Sequence, residues 1–210
     1  MTTKIINKLP TSAYDNKIYT KFSRKTIDKK AVNKTEFQNE FSLQKSSRDL
    51  LLVITSKLTE KNGFTDLEKF LAGAASLENV QIAVRGVGTE KFQKIILDFA
   101  EKNLERITIL EDTEDNLRKM YAAGDVSLFL TKNIESDIEI QNSLSYACLP
   151  IAPRDFQGLI ENYNPNLESG NGFLFEEKNT WSLFAALVRA SEHYRFPYDW
   201  KTICQNALGN

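Results

Sequence analysis

From Leu50 onward, short apolar runs alternate with amphipathic stretches, and this alternation constrains the fold more than any other feature. The runs are "LLVIT" (51–55), "VQIAV" (80–84), "ITIL" (107–110), "VSLFL" (126–130), "LPIA" (149–152) and "GFLF" (172–175). They are apolar at nearly every position, the pattern of strands covered on both faces. The intervening segments carry helical spacing instead. "DLEKFLAGAASL" places Leu67, Phe70 and Leu71 on one face, and "TEKFQKIILDFAEKNL" does the same with Phe92, Ile95, Ile96 and Phe99. "TEDNLRKMYAAG" opens on a capping residue and two acids and ends at Gly124, which suits both ends of a helix. "IQNSLSYAC" reads as a short helix entering the fifth strand. Strand, helix, strand, helix at this spacing predicts an α/β, Rossmann-like, doubly wound parallel sheet over 50–210. "NTWSLFAALVRASEHYRF" and "DWKTICQNAL" follow it as C-terminal helices.

Residues 1–49 stand outside the repeat. They hold eleven Lys/Arg against five Asp/Glu in a chain of net charge −1, so the lead-in is basic and the remainder acidic. The basic residues are scattered among Asn, Thr, Ser and aromatics. That pattern reads as a solvated surface, not as a nucleic-acid or membrane patch. One helix is expected near 34–41, packing on the sheet edge.

No apolar run approaches the ~20 residues of a membrane span, and the N-terminus lacks the apolar core of a signal peptide. Cys148 and Cys204 are too few and too distant to suggest a disulfide framework or zinc site. A cytoplasmic protein with two buried thiols is expected. His193 is the only histidine, lies on the long helix, and reads as structural. With no His or acidic cluster at ligand spacing, no metal site is expected.

Ligands of such sheets sit beyond the carboxyl ends of the strands. The candidate loops are therefore 56–63, 85–89, 111–114, 131–138 and 153–158. The first reads "SKLTEKNG", a strand-end turn in which Lys57 and Lys61 are candidate phosphate ligands. Gly86 and Gly88 form a "GVG" turn that suits either a nucleotide or a tight strand-to-helix connection. The first turn lacks G-x-G-x-x-G, which weakens a dinucleotide reading.

Several stretches resemble one known family in order along the chain, the bacterial glycogen synthases and plant starch synthases. "KKAVNKTEFQNEFSL" resembles that family's G-K-A-x-N-K-x-x-x-Q-x-x-x-x-L lead-in, and "SKLTEKNGF" its S-R-L-T-x-Q-K-G turn. "RGVGTEKFQ", "MYAAGDVSLFLT", "YACLPIAPR" and "YNPNLESGNGFLFEE" resemble further motifs of its C-terminal half. The resemblance implies the second domain of a retaining glucosyltransferase of GT-B fold, whose donor is ADP-glucose and whose transfer requires no metal or other cofactor.

The resemblance also assigns roles. Lys57 stands at the position of the family's diphosphate-binding Arg and lacks its bidentate fork. Asn62 stands at that of its Lys, with Lys61 one residue earlier. Ile134 falls at the position of the sugar-binding Glu, with Glu135 beside it as the catalytic-site candidate, crowded by the like charges of Asp137 and Glu139. Asp112 replaces the aromatic residue near the adenine. The family's T-G-G turn falls on "DFQ" or "FQG", leaving Gly158 as a remnant whose backbone would approach phosphate.

Two functions follow. The first is the nucleotide-sugar-binding half of a glycogen or starch synthase-type glucosyltransferase. It would extend an α-glucan only when an N-terminal acceptor domain is supplied in cis or trans, so no turnover is expected alone. The second is a non-catalytic binding or regulatory domain that kept the fold and lost the donor site. The donor nucleotide stays open, because the residues that would choose it differ.

Overall fold

The computed structural model describes residues 7–177 and 179–209. Residues 1–6 of the lead-in lie outside these. Among the described residues, six strands form one parallel sheet: β1 (Leu50–Ile54), β2 (Val80–Arg85), β3 (Ile107–Leu110), β4 (Val126–Leu128), β5 (Leu149–Pro153) and β6 (Phe173–Phe175). Their order is β3-β2-β1-β4-β5-β6, the doubly wound order, with a topological switch point between β1 and β4. The apolar runs mark the strands to within about two residues at each end, the usual scatter of boundaries.

The helices are α1 (Lys30–Glu40), α2 (Leu67–Ser76), α3 (Glu90–Lys102), α4 (Glu114–Ala123), α5 (Ile134–Ser145), α6 (Thr180–Tyr194) and α7 (Pro197–Ala207). Every residue of β1, β2, β4, β5 and β6 is buried, as their composition requires. Each large apolar side chain so covered contributes about 1.5–3 kcal/mol.

The lead-in differs from the sequence expectation. α1 packs chiefly on α4, whereas the edges of the sheet are β3 and β6. Its buried face is polar: Lys30, Asn33, Lys34, Phe37 and Gln38, at i, i+3, i+4, i+7 and i+8. Burial of such a face is tolerable only if each polar atom is satisfied. The Lys30 ammonium donates to the carbonyls of Tyr121 (3.1 Å), Ala122 (2.9 Å) and Tyr146 (2.9 Å), which end α4 and α5. Lys34 pairs with Asp125 at 2.5 Å and donates to Tyr194 Oη at 2.7 Å. Asp125 in turn accepts from the Leu51 amide at 2.7 Å. Gln38 donates to Gln81 of β2 at 2.8 Å and to the Ser46 carbonyl at 2.9 Å.

Upstream, the Leu9 amide donates to Asn142 of α5 at 2.9 Å. Buried Asp15 meets Tyr146 and, at 3.1 Å, Arg118 of α4. The "KAVNKTEFQ" motif thus ties the lead-in to the amino ends of the central strands and the carboxyl ends of two helices.

Both cysteines are buried and free. Burial pushes Cys148 up to about 11 and Cys204 up to about 12, so neither is a thiolate near neutrality. His193 lies against Tyr163 edge-on, with ring centroids 5.1 Å apart, and 3.9 Å from Asp199. No described helix is long and apolar enough to cross a membrane.

Candidate functional site

The carboxyl ends of the strands form a crest centred on the switch point. Past Ile54, the chain runs through Thr55 and Ser56 into a 3-10 turn, Glu60–Asn62, closed by Gly63. Thr59 caps this turn by accepting from the Asn62 amide, and Asn62 Nδ2 donates to the Lys57 carbonyl at 2.9 Å. Asn62 therefore holds the turn together. Lys57 is half-buried and Lys61 exposed. The Lys57 ammonium makes no hydrogen bond among the described residues.

Opposite this turn, α5 begins at Ile134, inside a stretch expected to be loop. Asn133 and Ser136 form a reciprocal capping box: Asn133 Oδ1 accepts from the Ser136 amide at 2.9 Å, and Ser136 Oγ accepts from the Asn133 amide at 2.8 Å. Such a box satisfies amides that would otherwise point at a ligand. The early start places Glu135 in the first helical turn and Glu139 one turn later on the same side. Ile134, the residue at the sugar-binding Glu position, is exposed.

Lys57, Glu135, Ser56, Asn62, Ser136 and Glu139 line one recess of about 10 Å³, room for about one water. The sequence-identified Lys57 and Glu135 are thus brought together, while Lys61 stays outside the recess. Gly86 and Gly88 follow β2. A side chain at Gly88 would meet Leu58 Cβ at 2.6 Å, where the two loops form a parallel bridge. Close approach of backbone to backbone therefore accounts for Gly88. Gly158 is not part of the recess: it has φ +97° and borders a separate cleft of about 680 Å³ with Arg154, Glu161 and Arg189.

Two residues that sequence reasoning passed over dominate the crest. Arg85, 8% exposed, ends β2. Its guanidinium meets Asp112 at 2.5 and 2.7 Å, reaches the Thr55 carbonyl at 3.2 Å and stands 3.9 Å from Glu139. Asp112, at the adenine-aromatic position, is thus an ion-pair partner. Glu139, 3% exposed, accepts from Ser56 Oγ at 2.5 Å. Burial, with the charge of Glu135, pushes its carboxyl up to about 7, against the opposing pull of Ser56, Arg85 and Lys57. The only signal for it in the sequence was a carboxylate one turn after Glu135, which points inward once the helix starts at Ile134. Among the described residues no group of His, Cys, Asp or Glu is placed to hold a metal.

Comparison with known proteins gives this arrangement its context. No family model matches the sequence. Glycogen synthase of Fervidobacterium nodosum is 31% identical over 198 residues, which are 92% of this chain and 40% of that protein. The chain is homologous to the C-terminal half of glycogen synthases. A second relative, glycogen synthase 1 of Synechocystis sp., is 27% identical over 97% of the chain and 44% of its own length. This glycogen-synthase-like chain spans about two fifths of the length of the curated relatives it matches.

Among solved structures, the catalytic domain of starch synthase IV from Arabidopsis thaliana, bound to ADP and acarbose, superposes with a TM-score of 0.81 at 18% identity. The match covers 95% of this chain and 43% of that one. At that identity the likeness concerns the fold, which is the Rossmann-like second domain of the GT-B architecture.

Proposed function

We propose that this glycogen-synthase-like domain binds a nucleotide sugar, ADP-glucose by family likeness, at the switch-point crest, and contributes the donor half of a glucosyltransferase that extends an α-glucan. The observation that carries the reading is the convergence, where β1 and β4 diverge, of the half-buried Lys57 with the first turn of α5. A cation at the carboxyl end of a parallel sheet, beside its switch point, suits a diphosphate. Lys57, together with the exposed Lys61, would neutralise the charge that develops on the leaving diphosphate. Glu135 would accept from glucose hydroxyls, and the turn 86–88 would border the nucleotide. An acceptor domain, in cis or trans, would close the cleft and bring the glucan, so turnover belongs to the assembled pair.

A second reading, a non-catalytic binding domain, is favoured by one observation. The recess holds about one water, and its neighbouring cation, Arg85, is already paired with Asp112. Calorimetric titration with ADP, ADP-glucose and UDP-glucose separates the two. Saturable binding that a Lys57→Ala, Lys61→Ala double variant loses supports the donor site. Absence of binding at several millimolar by the folded protein rules it out in favour of the second reading.

A further inference from the structure

Among the described residues Glu139 is the one carboxylate buried in the crest, and no part of the proposed donor chemistry uses it. Its surroundings are those of an anion position. Ser56 donates to Oε2 at 2.5 Å, the Arg85 guanidinium stands 3.9 Å from Oε1, and Lys57 lines the same recess. The remaining ionisable groups facing it are Tyr121 from α4, whose phenol burial keeps neutral, and Glu135 from its own helix. Asp112 lies behind Arg85 and takes that guanidinium's shortest contacts.

We infer that Glu139 is the specificity-determining residue of the crest: its carboxylate holds the position of a ligand phosphate beside Ser56 and Lys57, so a nucleoside diphosphate enters only together with a proton on Glu139. The inference rests on the donor-site reading above and adds to it what governs entry. A ligand phosphate at the mouth of this recess, which itself has room for about one water, would face the Glu139 carboxylate, and two anions so placed repel strongly where little water screens them. Arg85 cannot neutralise both, being shared with Asp112. A neutral Glu139 still hydrogen-bonds with Ser56 and leaves the Lys57 charge to the ligand. The crest therefore binds a diphosphate with uptake of one proton near neutral pH, and excludes it in alkaline solution.

The test is calorimetric titration of ADP into the wild-type domain and Glu139→Gln at pH 6 and pH 8, each in two buffers of different ionisation enthalpy. The ratio between the two proteins cancels the titration of ADP's own phosphate. With the Glu139 carboxyl at about 7, wild type is expected to bind about tenfold more weakly at pH 8 than at pH 6, relative to the variant. It should also take up about one proton more than the variant at pH 8. Equal pH dependence and equal proton uptake in both proteins overturn the inference and leave the donor site standing. No binding by either protein at pH 6 overturns the donor-site reading and the inference with it. Gln is nearly isosteric with Glu. Should it nevertheless unfold the domain, the buffer dependence of wild type alone decides, since no proton uptake beyond that of free ADP overturns the inference.

Discussion

Buried charge occurs at both ends of the sheet, and the two ends treat it oppositely. At the amino ends of the strands, Lys30 finds three carbonyls, and Lys34 finds Asp125, Tyr194 and the Asp49 carbonyl. Gln38 finds Gln81 and Ser46. At the carboxyl ends, Glu139 has one hydroxyl donor and a cation at 3.9 Å that is committed elsewhere. Asp137, in the same helix, has a buried oxygen without a partner among the described residues. The first arrangement fixes a fold. The second leaves electrostatic free energy unspent, as sites that bind and discriminate commonly do. The difference teaches that a motif match shows which end of such a domain is scaffold, while the state of the charges shows which end is chemistry.

The comparison breaks most readily at Lys34. Lys34→Ala strands the buried Asp125 carboxylate, and a loss of about 3–5 kcal/mol is expected in urea unfolding. A loss under 1 kcal/mol would mean that the amino-end network is not the scaffold described.

Glu139→Gln acts in the opposite direction. A carboxyl at about 7 in the folded protein and about 4.3 when unfolded binds its proton more tightly when native. Its stabilising effect is complete below the unfolded value and is lost as pH rises through the folded one. The variant should therefore match wild type near pH 4 and exceed it by about 4 kcal/mol above pH 8. Parallel stability–pH curves for the two proteins would contradict the burial of that charge.

Gly88→Ala sharpens the reading of the "GVG" turn. Contact with Leu58 predicts a cost of about 1–3 kcal/mol without ligand, measured by thermal unfolding. An unchanged midpoint would return that glycine to a purely ligand-binding role. Lys57→Ala gives the smallest stability change, within about 0.5 kcal/mol, because its ammonium makes no hydrogen bond among the described residues. The same variant should lose ADP binding, and a large loss of stability instead would place Lys57 in the scaffold.

Much of the fold was legible because fully buried strands write continuous apolar runs, and β1 to β6 follow them closely. The buried polar face of α1 was legible as a motif but not as a set of bonds. Its partners Asp125, Tyr121 and Tyr146 lie some ninety to one hundred and sixteen residues away. At the crest, Lys57 and Glu135 were legible from spacing and family likeness. Glu139 and Arg85 were not, because nothing local distinguishes a solvated carboxylate from one that a helix start turns inward.

By itself, then, the sequence determined the doubly wound sheet, the place of its crest and the family to which its motifs point, because hydrophobic period and turn chemistry are local properties. Only the tertiary structure decided that the recess beside Lys57 has room for about one water, that Arg85 is spent on Asp112 and that Glu139 is buried next to Ser56. Those depend on which distant side chains share a low-dielectric space, and a linear pattern carries no measure of that.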